Sequence, residues 1–484
     1  MRKHILIILS IVFLGLTACT EDVLDKINKD NQHPSPDAVP ARLQLSEAIM
    51  STGFSTVSGD YAFYLSSLNE QSLGMGNNQL MRAELRNSNE WAASTTFNNV
   101  WNSTYGNLKN IREIIRKIEN DVPGNIDQYD LLGMAQVLEA LNFGILTDLH
   151  GDIPYSEALQ GQANLQPKLD AQKDVYAGIL STLDAAIANF EKGKTLKSAG
   201  NQDIAFAGDI NQWKATAYAL KARYQLHKLA VEPNVLEQVE ENAQKAVDLG
   251  FKGFTIKEFN GKTADNPWSA FVFSRYYTAP SKTVANLMEA TRDPRLAYYV
   301  NSKEESYEPG NENIAKTVDD GRVLAFQPTW YLLGSQPLHL FSKSELYFIL
   351  AEAQLRLSKD ATAAFQTAVE TSVSEILALF EDDTDAKDFA VSLGAPTLKK
   401  LFEQKYVAQS HDEQVETYND LRRLKAMGET YVVLTNPWNT QTGINRYPER
   451  LPYGNSAVIG NPNVKAAYGD GFYIYTQKTW VNDK

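Results

Sequence analysis

Thr147-Asp148-Leu149-His150-Gly151-Asp152-Ile153-Pro154-Tyr155-Ser156-Glu157-Ala158-Leu159 closes the stretch, beginning at Tyr129, whose reading decides the fold. Upstream of this run, Leu131, Ala135, Leu138, Asn142, Ile145 and Leu149 recur at alternating spacings of four and three, which places one mostly apolar stripe on a helix. Gly151 suits the left-handed position that ends a helix, and Ile153 before Pro154 is biased towards extended geometry. A core helix that delivers a sharp, rigid turn is the expectation.

Similar periodicity extends in both directions. Phe97, Trp101, Tyr105, Leu108, Ile111, Ile115 and Ile118 predict a helix over 95–119. Asp170 is placed to cap a helix carrying Val175, Ile179, Leu183, Ile187 and Phe190, with Gly193 as its stop. Gly208-Asp209-Ile210-Asn211 opens another, with Trp213, Ala217, Leu220 and Tyr224 on one face, and Pro233-Asn234 separates it from a helix over 235–249. Trp101 and Trp213 read as core. From 250 to 342 the composition shifts to Asn, Pro, Gly and aromatics, and helical spacing fails except near Ser281 to Ala290. It returns over 345–353, 361–379, 397–409 and 415–426, after which the last sixty residues are loop-like, with Tyr447-Pro448, Leu451-Pro452 and Asn461-Pro462 as turn signals. The fold class is therefore all-α: irregular, tetratricopeptide-like helix pairs with long loop-rich insertions near 54–95 and 251–340.

The leader bears on the compartment. Arg2 and Lys3 precede an apolar run that reaches Leu16, too short to span a bilayer, and Leu16-Thr17-Ala18-Cys19 has the lipobox arrangement in which the cysteine is diacylated and becomes the new N-terminus. Residues 1–18 read as a lipoprotein signal peptide, 19–40 as a tether rich in acids and prolines, and 41–484 as one helical domain. Each buried acyl CH2 contributes about 0.8 kcal/mol, so two chains on Cys19 would hold the protein at a membrane without a spanning segment. Cys19 is the only cysteine, so no disulfide can form within the chain. Loss of Arg2 and Lys3 leaves 44 basic against 59 acidic side chains, a formal charge of −15, which argues against nucleic acid as a partner.

Enzyme signatures are weak. Gly193-Lys194-Thr195 imitates the end of a phosphate loop, but Ala188 stands where its first glycine belongs and a helix precedes it. Gly74-Met75-Gly76 has Gln79 in place of a third glycine. No two of the histidines His33, His150, His227, His339 and His411 lie within one helical turn, so a metal site would need convergence over long range, and no metal or cofactor is expected. Asp148 and Asp152 are the sharpest carboxylate pair for glycoside hydrolysis, although a structural role in the turn is the better reading of both. Glu416, Asp420, Arg422 and Arg423 read as charge pairs on a helix.

The run from Thr147 to Leu159 resembles the hallmark segment of the SusD/RagB family of starch-binding outer-membrane lipoproteins. Several other runs resemble the same family: Gly208-Asp209-Ile210 with Trp213, Asp293-Pro294-Arg295-Leu296, Ser344 to Ala353, Tyr418 to Leu424, and Arg446 to Tyr453. Ile27-Asn28-Lys29-Asp30-Asn31 is similar to the family's opening, with its prolines displaced, and Tyr418 stands where the family often has tryptophan. The resemblance implies a helical protein anchored on the outer face of the outer membrane, which sits over a SusC-like TonB-dependent barrel and hands it oligosaccharides. It implies binding without cleavage, so no catalytic residue is assigned. Capture of peptides by a RagB-type relative is the non-enzymatic alternative, and an all-α glycosidase the enzymatic one.

A glycan asks for flat apolar rings that meet the C–H face of a pyranose, ringed by planar polar groups. Two stretches carry this kit. Tyr61 to Trp91 has Tyr64, Asn77, Asn78, Gln79, Arg82 and Trp91, and Asn266 to Tyr277 has Trp268, Arg275, Tyr276 and Tyr277. Core packing is the competing reading for Tyr64 and Tyr276. Covering roughly 50 Å2 of sugar contributes about 1 kcal/mol, while a millimolar complex needs about 4 kcal/mol, so two or three rings must converge. On this reading Trp91→Ala with Trp268→Ala abolishes binding without loss of fold.

Overall fold

The computed structural model describes residues 36–75, 78–275, 278–300, 307–309, 328–435 and 447–484. The principal helices are α1 (Leu45–Ser51), α2 (Gly59–Leu68), α3 (Asn98–Glu119), α4 (Tyr129–His150), α5 (Gln172–Lys192) and α6 (Ile210–His227). They continue as α7 (Leu236–Asp248), α8 (Pro267–Arg275), α9 (Lys343–Arg356), α10 (Thr362–Leu379), α11 (Leu398–Gln409) and α12 (Gln414–Met427). Each of α3 to α6 packs on the next, α6 packs on α7, α7 on α9 and α9 on α10, so sequence neighbours stack in series as irregular helix pairs. Two short antiparallel pairings organise the insertions: β1 (Leu73–Gly74) with β3 (Thr278–Ala279) joins the first to the second, and β2 (Phe254–Ile256) with β4 (Leu338–Phe341) closes the ends of the second on each other.

The central helix is α4. All of its residues except Tyr129 and Glu139 are buried, so it is enclosed on every side rather than amphipathic. Neighbouring α6 approaches so closely that a Cβ at Gly144 would overlap the Tyr224 ring. A helix buried to its end leaves its last carbonyls to be satisfied, and distant residues do so. Arg422 Nη2 donates to Asp148 O at 2.8 Å, the Leu451 N–H donates to Leu149 O at 2.7 Å, and Arg450 Nη2 donates to His150 O. Two arginines at a helix C-terminus also oppose its negative dipole end. Gly151 follows with φ 78°, and a Cβ there would lie 2.6 Å from the Arg450 guanidinium. Tyr61 Oη hydrogen-bonds His150 Nε2 at 2.8 Å, and burial holds that imidazole neutral by lowering its pKa to about 3.

Beyond Gly151 two acids exchange the roles the sequence suggests. Asp170 does not cap α5; its carboxylate accepts the N–H groups of Tyr155 and Ser156 and the Ser156 hydroxyl. The N–H of Gln172, the first residue of α5, donates instead to Asp152 Oδ1 at 2.8 Å. The cause is pairing: Ile153 and Asp170 form a two-way backbone bridge, which sets each carboxylate beside the other strand's turn.

The insertion at 54–95 also departs from the sequence expectation. It contains α2, buried from Tyr61 to Leu68, and two shorter helices, Gln79–Glu84 and Ser88–Ala92. α2 has only ten residues, eight of them buried in succession, so it has neither the length nor the contrast for a 3.6-residue pattern to show, whereas α4 runs for 22. α8 escaped for the related reason that its Pro267-Trp268 start and short length left too little pattern. Replacing Gly151 by alanine is expected to lower the free energy of unfolding by about 1–3 kcal/mol, from the strained φ and the crowded Arg450, read from urea midpoints. An unchanged midpoint would contradict this role for the turn.

Candidate functional site

The two stretches singled out for their rings and amides meet in space. β1 pairs with β3, and Phe63 of α2 contacts α8 through a stacked Phe271 ring, with centroids 4.0 Å apart, and an edge-on Trp268 at 4.7 Å. α8 presents Phe273, 45 % exposed, together with exposed Arg275 and half-buried Phe271. On the same α2, Tyr64 donates its hydroxyl to Glu90 Oε1 at 3.1 Å, and Arg82 donates Nε–H to Glu90 Oε2 at 2.9 Å. The Arg82 side chain is 39 % exposed, so this polar node reaches solvent. Burial and then Glu90 raise the Tyr64 phenol, which keeps it a neutral donor.

The two tryptophans are core. Trp91 is fully enclosed against Tyr64 and Phe97, and its Nε1–H donates to Ala83 O at 3.0 Å. Trp268 is 1 % exposed and lies flat on Tyr331, centroids 4.2 Å apart at 6°. Neither offers a free ring face, and Tyr64, 8 % exposed, presents little more. The reason is local: Trp91 ends a short helix that folds back on α2, and Trp268 starts α8 beneath its exposed face. In the same run Phe273 is the exposed ring, while Phe271 is half-buried and stacked on Phe63. Arg82 and Arg275 retain accessible side chains. Cys19, Asn77, Tyr276 and Tyr277 lie outside the described residues.

The carboxylates of the hallmark turn are structural. Asp148 is buried, accepting from Tyr176 Oη and lying 3.1 Å from His227 Nδ1, while His227 Nε2 meets Glu416 at 3.0 Å. Burial alone would lower the His227 pKa, but Asp148 and Glu416 outweigh it and push the imidazole up to about 9. Burial would raise Glu416, yet Arg223 and His227 bring it down to about 2. Around them Arg223 pairs with Glu345, Arg423 with Glu352 and Asp420, and Lys405 with Asp420. Asp148 is therefore committed to holding α4, α5, α6 and α12 together, and Asp152 to starting α5. A concavity of about 570 Å3 lies elsewhere, between the 200–209 turn and 252–258, and two of its acids are occupied: Asp203 takes four donors from Ala205, Phe206, Gly208 and the Trp213 indole, and Asp209 caps α6.

Comparison with known proteins bears on what such a surface serves. The profile of a family described as SusD-like, starch-binding and associating with the outer membrane, matches residues 52–454. A solved SusD/RagB family protein from Bacteroides thetaiotaomicron is 31 % identical, covering 92 % of this chain and 99 % of its own, with TM-score 0.78. A SusD homolog from Bacteroides fragilis is 21 % identical over 92 % of this chain and 100 % of its own, with TM-score 0.72. A chitin-binding SusD homolog from Flavobacterium johnsoniae is 19 % identical over 91 % of this chain and 98 % of its own, with TM-score 0.68. No curated protein matches.

Trp91→Ala is expected to cost about 3–5 kcal/mol of stability as a core cavity, and exposed Phe273→Ala less than about 1 kcal/mol, by urea denaturation. Equal costs would contradict the placement of these rings. For His227, a pKa raised from 6.5 to about 9 contributes stability that is complete below pH 6.5 and lost as pH rises through 9. The urea midpoint should therefore fall between those values, and fall less steeply in His227→Gln; an identical slope in the variant would contradict the cluster.

Proposed function

The chain belongs to the SusD-like family of starch-binding, outer-membrane-associated proteins, and from that premise we propose that it captures a glycan at the cell surface and hands it to a SusC-like TonB-dependent barrel. Proteins of this family bind rather than cleave. The observation that supports the reading is the meeting of the two insertions, through β1 with β3 and through Phe63 with Phe271, next to which α8 exposes Phe273 and Arg275. Rings of this kind suit the C–H face of a sugar, and guanidinium groups bridge its hydroxyls. Asn77, Tyr276 and Tyr277, which lie outside the described residues, are proposed from the sequence as further ligand contacts. Two or more rings are required, since each contributes only about 1 kcal/mol.

Diacylated Cys19 is the proposed anchor, with the helical body held outside the cell by the tether. Among the described residues no helix is long and apolar enough to cross a membrane, so the lipid is assigned the whole of that task. Starch and chitin are the glycans named for the family and for a relative, and they set the first ligands to try.

Calorimetric titration with maltooligosaccharides, chitooligosaccharides and mixed peptides tests the proposal, with lipid attachment followed in parallel by membrane fractionation of Cys19→Ser. A glycan should release heat, and Phe273→Ala with Arg275→Ala should weaken it at least about tenfold, or 1.4 kcal/mol. Heat from peptides alone, or undiminished glycan affinity in the double variant, would contradict the assignment, as membrane retention of Cys19→Ser would contradict the anchor.

A further inference from the structure

Two buried clusters bring imidazoles and carboxylates together from distant parts of the chain: Asp148 with His227 and Glu416, and His339 with His411 and Asp412. Their nitrogens face differently. In the first, one imidazole spends Nδ1 on Asp148 and Nε2 on Glu416, at opposite edges of the ring, so the two acids cannot share an ion with it. Arg223 lies near Glu416 at 3.7 Å, and the group is a closed ion-pair network.

The second cluster is built otherwise. His411 Nε2–H donates to Gln336 Oε1 at 2.8 Å, which fixes the tautomer and leaves a lone pair on Nδ1. That nitrogen lies 3.8 Å from Asp412 Oδ1, too far for a hydrogen bond, so two electron-rich atoms face each other in a buried place. His339, on β4, presents Nδ1 to the same carboxylate, 2.8 Å from Oδ2, while its Nε2 looks towards Glu375 of α10 at 3.8 Å. Asp412 is steadied by the His339 backbone N–H at 2.9 Å. Donor atoms of all three residues fall within 4.8 Å of one another.

We infer that His339 Nδ1, His411 Nδ1 and Asp412 Oδ1 form a three-ligand site for a divalent transition ion of the zinc type. Imidazole nitrogens bind zinc at about 2.0–2.1 Å, and two ligands at that length in a tetrahedron are about 3.4 Å apart, so the 3.8 Å gap closes with a small side-chain rotation. Metal-bound histidines characteristically donate their other N–H to an amide or carboxylate; Gln336 stands in that position for His411, and Glu375, 3.8 Å from His339 Nε2, reaches it by a small rotation. Two nitrogen donors select against calcium and magnesium, which prefer oxygen. The fourth position falls to water, the usual completion of a three-ligand zinc site. On binding, the ion displaces the proton that His339 Nδ1 shares with Asp412 Oδ2, and that proton leaves to solvent while His339 Nδ1 turns to the ion. The ion would join β4 to the turn between α11 and α12. His411 also packs edge-on against Trp330, and the adjoining Tyr331 lies under Trp268, so the link braces the base of α8.

The full chain, without an added histidine tag and stripped with chelator, is titrated with Zn2+ by calorimetry and with Co2+ by visible absorption. One ion should bind per chain with release of a proton, produce a tetrahedral Co2+ band and raise the thermal midpoint. His411→Ala should abolish the event. Glu375→Gln, half-exposed and outside the ligand set, should retain the far-ultraviolet dichroism of the parent and weaken binding about 10–100-fold, which keeps the test decisive if His411→Ala does not fold. Absence of one-to-one binding, its survival in a folded His411→Ala, or unchanged affinity in Glu375→Gln overturns the assignment.

Discussion

The structure depends on how the last turn of α4 is closed. A helix enclosed on every side reaches its C-terminus with carbonyls that water cannot satisfy, and each unpaired buried carbonyl would cost about 1–3 kcal/mol. Asp148, Leu149 and His150 give theirs to Arg422, to the Leu451 N–H and to Arg450, residues some three hundred positions later. That requirement draws α12 and the 447–453 segment onto the middle of the chain. It also explains Gly151, since only a residue without a Cβ leaves room for the Arg450 guanidinium while the backbone turns left-handed.

Around this closure the charges are numerous yet internally matched. Asp148, His227 and Glu416 connect α4 to α6 and α12, and Arg423 with Glu352, Asp420 and Lys405 connects α12 to α9 and α11. Buried ion pairs of this sort add little net stability over apolar packing, but breaking one leaves an uncompensated charge and costs several kcal/mol. Alternative helix registers are thereby penalised. The result is a stiff frame against which α2 lies, and α2 in turn holds α8 through Phe63, so the proposed ligand surface is in place before any ligand arrives, which lowers the ordering cost of binding.

What the sequence showed and what it hid follow from the same physics. The half-exposed helices α3, α7 and α11 alternate polar and apolar faces, and the 95–119, 235–249 and 397–409 readings fall within a few residues of them. Gly208 to Asn211 was legible because an Asp before a periodic run is a local device, and Asp209 does accept from Asn211 and Gln212. Asp170 misled because its partner is fixed by the bridge to Ile153, a pairing no local pattern encodes. Trp91 and Trp268 misled because residue type says what a ring can do and not which side of it is covered. The His339, His411 and Asp412 convergence was invisible for the reason anticipated, that it joins segments more than seventy residues apart.

Hydrogen–deuterium exchange with and without a bound oligosaccharide tests most directly whether the two insertions, with α8 and the 79–92 segment, take up the proposed cargo. The account predicts slowed exchange in 267–275 and 79–92, against a 147–152 turn that is already protected and does not change. Protection confined to another face, or a 147–152 turn that exchanges freely until ligand is added, would contradict it.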